Sequence, residues 1–280
     1  MLNFVTGIVA LIITGIGVGF ASGLLGVGGC FIMIPVQYWV YTGLGIDPKM
    51  AILTAFGTNL AVVFPTAISG ATGHSRRGAV LWRAAVILGI TGAIGAVTGS
   101  VIATHLPANA LKIAFGLAIL LGAIRMLTAK PPKVEEEPNE NPATLAAWGI
   151  VLGIATGIIG IGGGVLMVPV MAVVLRFGIH KAVGTSTAVM IFTSLGGLVG
   201  YIINGINAGI FGHYPIGYLI GYFNPESWLA LAATSVPMAQ VGVRVAHRLP
   251  AKQLKYIFVI VMIYMALKMI GVFAWLKLPI

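Results

Sequence analysis

The sequence predicts an all-α polytopic membrane protein with an inverted-topology internal repeat: about five plus five hydrophobic helical segments, the first two of each half forming a glycine-cornered hairpin. Composition is the first ground. Of 280 residues, 59% are hydrophobic and 8% charged, and mean hydropathy is +1.04, against roughly 45–50% apolar and about 25% charged in an average soluble domain. Length is the second, because apolar runs near the roughly 20 residues that cross a hydrocarbon core of about 30 Å recur from end to end. The third is a glycine-rich motif that occurs twice, once in each half.

Lipid offers no hydrogen bonds, so the backbone must satisfy itself as helices or as a closed barrel. The runs are continuous, as in Ala84–Ile102 and Ile257–Ala274, where barrel strands would alternate over about ten residues; helices are therefore expected. The 39 glycines fit close helix packing, and part of them fit broken helices equally well.

Taken in order, the segments are placed at about 3–25, 30–45, 51–73, 79–104 and 110–128, then 144–160, 164–178, 183–204, 228–247 and 252–276. The first follows Met1-Leu2-Asn3-Phe4, which lacks a basic n-region and reads as a retained helix. The second and seventh, 16 and 15 residues long, are short for a full crossing and are expected to penetrate partly. Between the fifth and sixth runs Lys130-Pro131-Pro132-Lys133-Val134-Glu135-Glu136-Glu137-Pro138-Asn139-Glu140-Asn141-Pro142, with four of the six acids of the chain. This solvated linker, 129–143, divides an N-terminal repeat, 1–128, from a C-terminal one, 144–280.

The halves align. Gly23-Leu24-Leu25-Gly26-Val27-Gly28-Gly29-Cys30-Phe31-Ile32-Met33-Ile34-Pro35 matches Gly157-Ile158-Ile159-Gly160-Ile161-Gly162-Gly163-Gly164-Val165-Leu166-Met167-Val168-Pro169 without a gap. Gly57-Thr58-Asn59 then answers Gly184-Thr185-Ser186, and Leu106-Pro107-Ala108 answers Leu249-Pro250-Ala251. Ordered self-similarity over the whole chain is the mark of a repeat.

The net charge of +10 would raise nucleic-acid binding in a soluble protein; here it sits in short loops and sets orientation instead. With the Arg76-Arg77 loop in the cytoplasm, Arg83, Arg125, Lys130, Lys133, Arg176, Lys181, Arg244, Arg248, Lys252 and Lys255 fall on the same side, and Lys49, Lys112, Lys268 and Lys277 on the other. Both termini are then expected outside and the linker inside, and the halves enter the membrane from opposite sides. Lone Cys30 says nothing about redox compartment.

The chemistry is expected at the two corners. Glycine gives a tight turn at membrane depth cheaply, and each corner opens a helix whose first N–H groups lack internal partners and carry its positive dipole end. Gly28, Gly29 and Cys30, with Gly162, Gly163 and Gly164, would so present donors to an anion near the midplane; the same glycines also suit plain helix packing. Pro35 and Pro169 remove a helical donor and kink the following helix. Thr58 and Asn59, with Thr185, Ser186 and Thr187, add neutral donors within apolar spans, or bond back to their own helices. Gln240 is a lone amide that lines a pathway or joins helices. Arg83, Arg244 and His247 lie near cytoplasmic ends and snorkel. His74, His105, His180 and His213 sit in loops without metal-ligand spacing, so no metal and no cofactor is expected.

Asp47, Glu135, Glu136, Glu137, Glu140 and Glu226 all map to loops or the linker, leaving no intramembrane carboxylate relay of the usual proton-coupled kind. Transport is expected to be passive, or coupled through backbone-coordinated ions. No nucleophile–base pair or His-Glu-x-x-His set suggests an enzyme. An anion channel, a transporter of another small carboxylate and a membrane scaffold are the competing readings.

At these residues the chain resembles the TauE/SafE sulfite exporter family, the 4-toluene sulfonate uptake permease (TSUP) type: a doubled glycine corner, a proline six residues on, and a Gly-Thr-Ser triplet. The resemblance covers nearly the whole chain. It implies a multi-pass permease of the plasma membrane for small sulfur-containing or organic anions such as sulfite, sulfoacetate or thiosulfate, with a lipid bilayer as solvent, no nucleic-acid partner, and compatibility with a homodimer. It carries a role over to Gly26, Gly28, Gly29, Gly160, Gly162, Gly163 and Gly164. Cys30 in place of Gly164, and Asn59 in place of Ser186, depart from two-fold equivalence.

Overall fold

The computed structural model describes residues 3–25, 30–128, 139–246 and 251–275. Gly26, Gly28 and Gly29 of the first corner and linker residues 129–138 lie outside the described residues.

The chain forms α1 (Phe4–Leu25), α2 (Cys30–Gly43), α3 (Pro48–Ser75), α4 (Trp82–His105), α5 (Ala108–Thr128), α6 (Pro142–Ile159), α7 (Gly164–Val173), α8 (Ile179–Asn207), β1 (Phe211–Tyr214), β2 (Gly217–Ile220), α9 (Pro225–Ala246), α10 (Ala251–Ile270) and α11 (Val272–Trp275). Pro48–Ser75, Trp82–His105, Ala108–Arg125, Pro142–Ile159 and His180–Asn207 are each long and apolar enough to cross a bilayer. Ile13, Ile90, Ile94, Leu121, Ile203 and Ile260 stand exposed on the outside of the bundle. An apolar exterior of this extent suits lipid, and the chain is a multi-pass membrane protein.

The helix α3 runs through the centre, and every residue from Ala51 to Val63 is buried. Asp47 starts it by accepting hydrogen bonds from Lys49 and Met50 N–H at 2.8 and 3.2 Å, the usual N-cap arrangement. Around α3 the most extensive contacts join α4 to α6, α1 to α9, α4 to α8 and α3 to α8. Small residues make them: a Cβ on Gly95 would lie 2.5 Å from the Ile150 carbonyl oxygen, and Gly153 and Gly157 press on the Gly92 and Ala96 carbonyls. Without a hydrophobic drive between helices in lipid, such backbone approach is what holds them.

The packing pairs equivalent positions. Gly15 of α1 meets Leu231 and Thr234 of α9, and Gly149 of α6 meets Leu88 and Thr91 of α4. In the alignment of halves Gly15 answers Gly149, and Leu231 and Thr234 answer Leu88 and Thr91.

Several expectations are corrected. Between α8 and α9 the chain pairs as an antiparallel hairpin, Phe211 with Ile220 to Tyr214 with Gly217, around Pro215-Ile216. Glu226 stands in the first turn of α9, not in a loop, because the helix starts at Pro225. His74 and His105 close α3 and α4 and His180 opens α8. The seventh segment is shorter than expected: α7 ends at Val173, and Arg176 at φ 58° turns the chain while Phe177 N–H donates to the Met171 carbonyl.

Candidate functional site

The second glycine corner lies at the centre of the protein. Helix α6 ends on Gly160, left-handed at φ 64°, and Gly162 and Gly163 follow at φ 79° and 116°. These angles favour glycine, and the space does too: a Cβ on Gly160 would lie 2.5 Å from Phe56 Cβ. Gly163 N-caps α7 without a side-chain bond, its carbonyl accepting from Leu166 and Met167 N–H at 3.0 and 2.8 Å.

Side chains of α3 and α8 hold the carbonyls of this corner. Asn59 Nδ2 donates to the Gly160 carbonyl at 2.8 Å, Thr193 Oγ1 to that of Gly162 at 2.9 Å, and Tyr201 Oη to that of Gly157 at 2.8 Å. The N–H groups of Gly162, Gly163, Gly164 and Val165 have no partner among the described residues. Three carbonyls of the corner are thus held by side chains and four of its amide donors are without a partner among the described residues, with the positive end of α7 behind them, while Asn59 Oδ1 beside the corner is a buried acceptor without a partner. Gly162 and Gly163 are buried and Gly164 is half-buried. Such a place suits a small anion.

Not every polar residue singled out in the sequence faces this corner. Thr58 Oγ1 accepts from Asn224 N–H at 3.0 Å, and Thr185 Oγ1 accepts from Leu81 N–H at 3.0 Å. Each threonine thus caps the chain as it enters α9 or α4, and the neighbouring Gly57 and Gly184 lie against the Tyr222 and Ala79 carbonyls. Ser186 and Thr187 both donate to the Val183 carbonyl, at 2.9 and 2.8 Å, within their own helix. Cys30 is buried as the first residue of α2. Gln240 lies in α9, with its side chain outside the description, and Gly28 and Gly29 lie outside the described residues.

Sequence reasoning missed Thr193 and Tyr201, although both are polar groups inside an apolar span, the same signal that marked Thr58. It also missed a polar set between α2, α3 and the start of α9. Tyr41 Oη donates to Gln37 Oε1 at 3.0 Å, and the Thr58 and Ser227 hydroxyls flank it. Asn224 caps α9 through its Oδ1, 2.7 Å from Ser227 N–H. Gln37 Nε2, Thr54 Oγ1 and Ser227 Oγ are buried without a hydrogen-bond partner. Each such orphan costs about 1–3 kcal/mol, a large share of a stability of roughly 5–15 kcal/mol.

A bundle of apolar helices with a broken helix opening on unpaired donors at its centre is the build of a membrane transporter. The chain belongs to the Sulfite exporter TauE/SafE family, whose model matches residues 11–269. It is similar to a probable membrane transporter protein of Methanocaldococcus jannaschii, 26% identical over 88% of this chain and 88% of that protein. One from Haemophilus influenzae is 26% identical over 94% of this chain and 98% of its own, and one from Xylella fastidiosa 33% identical over 60% and 64%. No solved structure matches the chain significantly.

Proposed function

We propose that the chain carries a small oxyanion, sulfite or an organosulfonate, across the plasma membrane, bound at the α7 corner. The observation that carries this reading is the set of amide donors of Gly162, Gly163, Gly164 and Val165 without a partner among the described residues, at a corner three of whose carbonyls are held by Asn59, Thr193 and Tyr201. Neutral donors hold a dehydrated anion without trapping it, which turnover requires. The family name supplies the sulfur oxyanion class. By the Lys and Arg bias of the loops, the hairpin side of the molecule faces outward.

Gly164 offers the cleanest test. It is not among the positive-φ glycines, and a Cβ there meets the flexible Met190 side chain at 3.1 Å; its counterpart in the first half is a cysteine, so a side chain is tolerated at this register. Gly163→Leu, by contrast, strains the backbone at φ 116°. In proteoliposomes loaded with sulfite, sulfate, sulfonates or carboxylates, wild type is expected to move sulfite or a sulfonate, and Gly164→Leu to reach the membrane folded but without flux. Full flux in folded Gly164→Leu protein rules the corner out.

A further inference from the structure

We propose that Gln37, Tyr41, Thr54 and Ser227 form a second binding site for a small oxyanion, on the hairpin side of the molecule and separate from the α7 corner. The inference rests on the transport reading only for its role, as a subsite that the anion occupies on entry or exit.

The first ground is unspent hydrogen bonding. Tyr41 fixes the Gln37 amide by its Oε1, which leaves the donor-only Nε2 without an acceptor. Elsewhere in the bundle many helical threonines donate to a carbonyl of their own helix, Thr14 to Ala10, Thr42 to Tyr38, Thr66 to Val62, Thr91 to Ile87 and Thr234 to Ala230, while Thr58 and Thr185 accept an N–H instead. Thr54, one turn before Thr58 on α3, makes no such bond, and neither does Ser227. All three groups are fully buried, at 0% exposure. Three unspent donors between α2, α3 and α9 ask for a partner with several acceptor atoms and a small volume. An amide nitrogen excludes a metal cation.

The second ground is an internal control. Carrying the alignment of the halves onward, Gln37 and Tyr41 answer Met171 and Leu175, and Asn224 and Ser227 answer Leu81 and Ala84. The register is the one the contacts keep, since Thr58 meets Asn224 as Thr185 meets Leu81. At the repeat-related place Met171 and Leu175 of the second half and Ala84 of the first belong to one apolar cluster, with Leu81 packed against it. The architecture is thus built at the same place without the polar groups of Gln37, Tyr41 and Ser227, which are not a requirement of the fold; Thr54 answers the exposed Lys181 and has no apolar counterpart. Glu226 beside it spends its carboxylate on Tyr218 N–H and Asn224 Nδ2; its charge keeps an anion's hold weak enough for release.

The test is thermal stabilisation of detergent-solubilised protein by sulfite, thiosulfate, sulfoacetate and acetate, with flux measured in parallel. Wild type and Gly164→Leu, whose corner is filled, are both expected to be stabilised saturably by at least one of the four. Gln37→Met with Ser227→Ala, the residues of the other half, is expected to raise the half-saturating concentration in the Gly164→Leu background by about tenfold or more, as for one lost hydrogen bond to a charged group. The unliganded melting temperature of Ser227→Ala alone should equal or exceed that of the parent, since an apolar group replaces an orphaned one, whereas Gln37→Met also removes the acceptor of Tyr41 Oη. If the double variant melts lower, Ser227→Ala alone serves, with the same direction of change. An unchanged half-saturating concentration, or no stabilisation of Gly164→Leu by any of the four, overturns the site and leaves the orphans to water. If wild type moves none of these anions while the binding and its loss persist, the transport reading fails and the site stands.

Discussion

Asn59 shows how a side chain chosen for polarity in an apolar span acquires its role only from the fold. Its Nδ2 donates to the carbonyl of Gly160, 101 positions away along the chain, so it braces the corner and does not itself offer that donor to a ligand. Asn59→Leu keeps the volume and strips a buried carbonyl of its partner. It is expected to lower stability by about 1–3 kcal/mol, read as a lowered melting temperature in detergent, and to cut flux in the protein that folds. A melting temperature equal to wild type would show that the corner holds its shape without this bond. The polar positions 58, 59, 185 and 186 were legible as buried from sequence, because a neutral polar residue within an apolar run has nowhere else to go. Their partners were not: Asn224 N–H for Thr58 and Leu81 N–H for Thr185 are set by which helix start arrives beside α3 or α8. Gln37, in an equally apolar segment, carried the same signal and was passed over.

At the scale of elements, the apolar segments other than the seventh, which overruns α7 by five residues, were legible to within a few residues because long apolar runs mark them. The hairpin was not, since β1 and β2 are four residues each, too short for an alternating pattern to show. Its hold on α9 is specific. Glu226 accepts from Tyr218 N–H at 2.9 Å with Oε1 and from Asn224 Nδ2 at 3.1 Å with Oε2, while the first turn of α9 favours its charge. A glutamine can accept through one atom only. Glu226→Gln is therefore expected to loosen the hairpin by about 1 kcal/mol, and amides of 211–220 to exchange about fivefold faster. Mass-spectrometric hydrogen exchange reads this directly, and unaltered exchange there would mean that Ile216 and Leu219, both buried, hold the hairpin by packing alone.

The whole molecule is knit across its middle. Helix α1 of the first half packs on α9 of the second, and α6 of the second packs on α4 of the first, in both cases through glycines that leave no room for a side chain. The alignment of halves did not predict this exchange, because a glycine stripe names no partner. Gly153, against the backbone of Gly92, is a point where the exchange is tightest; Gly153→Leu must push α4 and α6 apart and is expected to cost more than the about 1–3 kcal/mol of ordinary overpacking. The same exchange makes a stronger demand on the intact chain. A half produced alone would expose the backbone faces of α1 and α4, or of α6 and α9, to lipid that cannot match their contacts. Cutting within 129–138 and producing residues 1–128 and 139–280 separately should give two fragments that fail to run as single species in detergent. Produced together in one membrane, they should co-purify and regain flux, since the contacts that cross the cut are the extensive ones. Were either half to fold alone and remain monodisperse, the exchanged helix pairs would be accessory to the fold, and the two halves would have to be regarded as separate domains that merely touch.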